Sequence, residues 1–270
     1  MSSTITITSS KATKVLKHSI NLWFGVVVVG QFIFALYILG LYGVNGLAGD
    51  FERWNAQTTH GYVQRDLVGN IFFGLHVALA AIITVGGPLQ LMKRVRTKFP
   101  RFHRVNGRIY VIAAFIISMA GFYLTWVRGA SGGLIGQIFV SINGLFIFVC
   151  TFFTVHMAMA KKLAPHRKWA IRLFLAMSGV WFFRVFLMLW LTIHQGPVGF
   201  DMETFQGPAL NMISTFSYIL PVLFAECYFR AKESNSKKVK WSVSLFLWFL
   251  TACIALGSFS ATMGMWLPNI

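Results

Sequence analysis

Twenty of the 24 lysines and arginines in this 270-residue chain fall in four short polar stretches, and these alternate with seven long apolar runs. That alternation constrains the fold more than any single motif. A membrane-crossing helix needs about 20 predominantly apolar residues. Runs that meet this requirement cover roughly 20–42, 69–92, 109–127, 137–160, 169–194, 210–229 and 241–263. Soluble domains carry about 25% charged residues; this chain carries 11%, against 56% apolar. The expected fold class is therefore all-α: a polytopic membrane helix bundle of seven transmembrane helices. Spans two to five form its four-helix core, because short connections make sequential helices antiparallel neighbours. The first and seventh spans contain no charged residue and no histidine and read as peripheral. The domain reading is a single transmembrane domain over 20–263, with its core at 69–194 and tails at 1–19 and 264–270.

The charges also orient the chain. One side collects Lys11, Lys14 and Lys17, seven basic residues from Lys93 to Arg108, five from Lys161 to Arg172, and five from Arg230 to Lys240. The other side holds only Arg53, Arg65 and Arg128, with five of the seven acids. The positive-inside rule then puts the N-terminus in the cytoplasm and the C-terminus outside, in the inner (plasma) membrane. The net charge of +17 is accounted for by basic loops facing anionic lipid on the cytoplasmic face. It implies no nucleic-acid partner, since a nucleic-acid binder carries its basic residues on a folded soluble surface. A membrane-protein partner or a homo-oligomer stays open. The outer loop over 43–68 is the longest and, with Trp54, His60 and Tyr62, is expected to lie flat on the interface. Residues 2–10 are mostly polar and read as disordered. The glycine-rich stretch 129–136 lacks the Lys-Ser/Thr of a phosphate loop.

Ionisable groups inside spans are expensive and mark candidate sites. His76 lies about 10 Å below the outer edge, and Arg184 about 15 Å below it, at 1.5 Å per residue. Arg184 is permanently charged. It either locks helix packing through carbonyls or anchors an anion such as a haem propionate or a lipid phosphate. Gly69, Ala80 and Gly87 share the face of His76 at helical spacing, which suits either a packed helix or a flat ligand. An inner layer gathers His103, His156, His166 and Glu226, with Arg104, Arg108 and Arg172 beside them. Such a set could ligate a metal, hold haem b between two histidines, or consist of ordinary interfacial residues. Pro221, just above Glu226, is placed to aim that carboxylate at Arg108 or Arg172. No hydrolase, zinc-protease, redox-cysteine or dinucleotide motif is present.

The segments Leu75-His76, Gly86-Gly87-Pro88-Leu89-Gln90, Pro100-Arg101-Phe102-His103-Arg104-Val105-Asn106-Gly107-Arg108 and Ala164-Pro165-His166-Arg167-Lys168-Trp169-Ala170-Ile171-Arg172, followed by Phe183-Arg184, resemble a bacterial membrane family catalogued as domain of unknown function 2306. The resemblance spans roughly 76–184. It implies that His76, His103, Arg104, Gly107, Arg108, His166, Arg172 and Arg184 matter, without implying for what. His156 has no place in that pattern. The leading expectation is a membrane protein that binds haem or quinone and passes electrons. The alternatives are a small-molecule or lipid transporter or binding protein built on Arg184, and an accessory subunit without chemistry.

Overall fold

The computed structural model of the chain describes residues 10–58, 60–129 and 133–270. Residues 1–9, most of the segment expected to be disordered, lie outside the described residues, as do 130–132 of the glycine-rich stretch. Ten α-helices are described: α1 (Lys11–Ile38), α2 (Asn45–Ala48), α3 (Leu67–Leu91), α4 (Lys93–Lys98), α5 (Pro100–Tyr123), α6 (Gly133–Met159), α7 (Leu163–Met177), α8 (Gly179–His194), α9 (Pro208–Glu233) and α10 (Lys237–Ala261). Six helices, counted with their short continuations, are each long and apolar enough to cross a membrane, and α7 with α8 makes a seventh if the pair is one span. That pair bends by 52° at Ser178.

Local chemistry explains where the helices start. Ser10, Asp66 and Ser236 accept from the backbone N–H groups of Thr13, Gly69 and Val239, capping α1, α3 and α10. Pro100 and Pro208 occupy the first turns of α5 and α9, where a missing N–H costs nothing. Helix α1 thus begins nine residues before the hydrophobic run that announces it. Helix α3 passes through Pro88 to Leu91, so Gly86-Gly87-Pro88 does not end it.

The expected neighbours pack together: α3 on α5, α5 on α6, and α6 on α7. A second layer closes the bundle, with α1 between α3 and α10, and α8 between α9 and α10. The first and last spans are therefore not peripheral. Val27, Phe34 and Tyr37 of α1 join Trp181 and Val185 of α8 and Ile254 of α10 in the largest buried cluster. A Cβ at Gly30 would lie 2.7 Å from Trp181, and one at Gly257 would strike the Val185 carbonyl, so glycine permits this close approach. Their lack of charge allowed burial against protein as readily as against lipid. The last residues fold back as well. Trp266 is fully buried, 5.3 Å from the Phe34 ring, so this side chain of 264–270 joins the core while Leu267 and Ile270 stay exposed.

The segment between α1 and α3 is a folded cap. Trp54 is buried and donates from Nε1 to the Tyr42 carbonyl at 3.0 Å. Asn55 exchanges two hydrogen bonds with the backbone of Tyr62, and Asn70 does the same with Val63. Arg128, from the π-helical turn after α5, ties the cap to the bundle. Its guanidinium reaches Asp66 at 2.8 Å, Asn70 at 2.6 Å, and the carbonyls of His60 and Gly61 at 3.1 and 3.0 Å. Asp66 is held below the usual carboxylate range, first by the Gly69 N–H and then by Arg128. Trp54 is therefore packed against protein and not available as an anchor in lipid.

Candidate functional site

Helices α1, α3, α5, α6, α8 and α9 surround a central cavity of about 240 Å³. His76 of α3 and Arg184 of α8 both line it, so the similar depths read from the sequence correspond to one chamber. His76 packs over Gly121, 3.6 Å from where a Cβ would stand. Arg184 makes one long bond, 3.5 Å to the Val180 carbonyl, and lies 5.5 Å over the Phe34 ring. No carboxylate pairs with it among the described residues.

The cavity holds more polar chemistry than those two residues. The Gln31 amide donates to Ser178 Oγ at 2.7 Å, and Ser178 in turn donates to the Phe174 carbonyl. Asn143 donates to the Ala176 carbonyl at 3.1 Å. These bonds fix the amide orientations and leave Gln31 Oε1 and Asn143 Oδ1 as buried acceptors without a partner. Tyr37 Oη, His76 Nδ1, Tyr110 Oη, Ser118 Oγ and Trp181 Nε1 are likewise buried and unpartnered around the same cavity. Unpaired buried polar groups are rare in folded proteins; seven around one chamber make it the candidate site. The break at Ser178 also puts the first turn of α8, through Val180 and Trp181, on this wall.

The inner layer stays together only in part: His103 lies within electrostatic reach of His166, Arg96 and Arg104. Arg172 grips Glu226 through two bonds of 2.6 and 3.0 Å and lies 4.4 Å over the Trp169 ring, so of the two partners proposed for Glu226 it is Arg172 that is engaged. His166 Nδ1 meets the Thr154 carbonyl at 2.9 Å. His103 sits in the first turn of α5 with its Nδ1 buried and unpartnered. His156 is exposed on α6 and stacks on Phe152. Arg104 and Arg108 are exposed and make no ion pair. No three His, Cys, Asp or Glu side chains converge as a metal site among the described residues. His76 is the one histidine lining the central cavity, so haem held by two histidines does not fit there.

Sequence reasoning missed Gln31, Asn143, Ser118 and Tyr218, which share the cavity with His76 and Arg184. Gln31 and Asn143 are amides well inside apolar runs, whereas Asn21 and Gln137 sit at the ends of the same runs, and that depth could have found them. The small-residue stripe on α3 divides in use. Gly69 gives room to the Asp66–Arg128 pair, Ala80 lines the cavity, and Gly87 admits Phe174 and Tyr110. Phe174 lines the central cavity and also a second one nearer the basic loops.

A family model described as predicted membrane protein (DUF2306) matches residues 73–229. No curated protein and no solved structure matches the chain.

Proposed function

Since this chain belongs to the DUF2306 family of predicted membrane proteins, we propose that it works as a membrane-embedded binding protein whose central cavity takes a small amphipathic anion. The observation that carries this is Arg184, a permanent cation with no acidic partner among the described residues, facing a chamber with seven unpaired polar atoms. A charge in that position requires a counter-charge or water. An anionic head between Arg184 and His76 supplies the first, and the hydroxyl and indole donors bind its remaining lone pairs. The aromatic walls at Phe34, Phe73 and Phe122 take the apolar part. The volume lies below the 300–1,000 Å³ of drug-sized pockets, which favours a compact ligand. A quinone is the second reading, supported by the donors Trp181, Tyr110 and Ser118, which suit two carbonyl oxygens; it keeps the electron-transfer function open. The permanent charge of Arg184 favours the anion.

Decanoate and decanol share a tail and differ in head charge. Added to detergent-purified protein, decanoate should raise the melting temperature and change the fluorescence of Trp181, and decanol should do neither. Arg184→Met should abolish the response. Equal responses to the two compounds, or an unchanged response in Arg184→Met, would sink the anion reading. A response to a short-tailed quinone alone would establish the second.

We further propose that the basic end faces the cytoplasm across the inner membrane, with the C-terminal Ile270 outside. The loop-by-loop charge bias supports this. Cysteine at Ser236 should resist a membrane-impermeant thiol reagent in intact cells; labelling there reverses the orientation.

A further inference from the structure

A second cavity, of about 550 Å³, lies at the basic end among α1, α7, α9 and α10. Its walls are apolar, formed by side chains such as Phe24, Ile171, Phe224 and Leu250. Its rim is cationic: Lys93, Arg96, Arg167, Lys168 and Lys232, with Glu233 the one acid. Glu233 is taken by Lys168 at 2.6 Å. The other four cations have no carboxylate partner among the described residues. Arg96 is half-buried, and its pKa is held below the ordinary guanidinium value, first by burial and then by the charge of Arg167. Two guanidinium groups that repel one another, with no acid between them, form an incomplete arrangement. A second vacancy points the same way. Trp23 lines this cavity, and its Nε1 is buried without an acceptor.

We propose that this cavity is a binding site for one anionic phospholipid. Its phosphate lies between Arg96 and Arg167, its ester carbonyl accepts from Trp23, and an acyl chain runs along Phe24, Ile171 and Phe224. Guanidinium forks match phosphate oxygens two at a time and lose little hydration in doing so. Trp23 lies one helical turn inside the hydrophobic run that opens at residue 20, the level at which tryptophan meets the polar edge of a bilayer. A cationic rim over an apolar pocket between membrane helices matches the two halves of such a lipid. The site is built from its own residues and does not rest on the reading of the central cavity, although Phe174 lines both cavities.

Detergent-purified protein titrated with dioctanoyl phosphatidylglycerol should melt at a higher temperature. Dioctanoyl phosphatidylcholine should do far less, and inorganic phosphate at equal concentration should do nothing. Removing both guanidinium groups, as Arg96→Gln with Arg167→Gln, should weaken phosphatidylglycerol binding about thirtyfold, from about 1 kcal/mol for each basic residue near the surface. Trp23→Phe should weaken it less. The double variant Lys98→Gln with Arg101→Gln removes equal charge from exposed positions outside the cavity and should bind as wild type, as should Arg184→Met. Equal loss in the Lys98/Arg101 variant would reduce the effect to general surface charge and overturn the site. Equal response to phosphatidylcholine, or saturation by inorganic phosphate alone, would overturn the lipid assignment.

Discussion

Arg128 and Arg184 are the same side chain in opposite circumstances. Arg128 spends its donors on Asp66, Asn70 and two loop carbonyls. It is 5% exposed and has nothing left to offer a ligand. Arg184, with one 3.5 Å bond, has nearly everything left. The cap is satisfied from within; the chamber is not, and that contrast is what supports reading it as a binding site. The presence of a buried arginine therefore says less than the state of the groups around it.

The widest separation should appear in melting. Arg128→Met strands the carbonyls of His60 and Gly61 and the amide oxygen of Asn70, costing about 3 kcal/mol at about 1 per bond. Arg184→Met should cost under about 1 kcal/mol, because an apolar residue replaces a charge that leaves no partner stranded. Equal losses in the two variants would break the comparison and make Arg184 a packing residue.

Acid should act on the cap. The folded pKa of Asp66 is depressed, so its contribution is fully present above the unfolded value of about 3.9. It is lost as pH falls below that value through the folded pKa. Asp201, held low first by Thr204, shares this window, so the informative quantity is a difference. Wild type should lose more stability than Asp66→Asn between neutral pH and pH 3. Parallel melting curves would show that the clamp does not depend on charge.

The smallest effect should come from Gln31. Gln31→Leu removes one bond to Ser178 together with an acceptor that had no partner, and the change should stay within about 1 kcal/mol. A larger loss would mean that ordered water or a resident ligand already pairs with Gln31 Oε1.

The spans were legible because hydropathy acts over whole helices, and the partner of Glu226 was legible only as far as Arg108 or Arg172, the two arginines toward which Pro221 was placed to aim it. The convergence of His76 and Arg184 was legible as matched depth. The bend at Ser178 was not, since a serine-glycine pair in an apolar run is equally compatible with a straight span. Arg128 was counted as a topological charge, because nothing local shows that a distant Asp66 and two loop carbonyls meet it. The burial of the first and last spans was hidden for the same reason: lipid and protein interior ask for the same apolar residues. The cationic rim at the basic end was likewise counted for orientation, although spacing along the chain cannot tell scattered loop charges from a ring around a pocket.

Phe174 is the wall that the two cavities share. A guest that turns this ring to gain room on one side takes room from the other. Occupancy of the two chambers is then linked, and whatever factor one guest imposes on the affinity of the second is returned in full by the second upon the first. Were lipid to fill the second cavity as proposed, it would act as an effector, and bilayer composition would set how readily the central chamber fills.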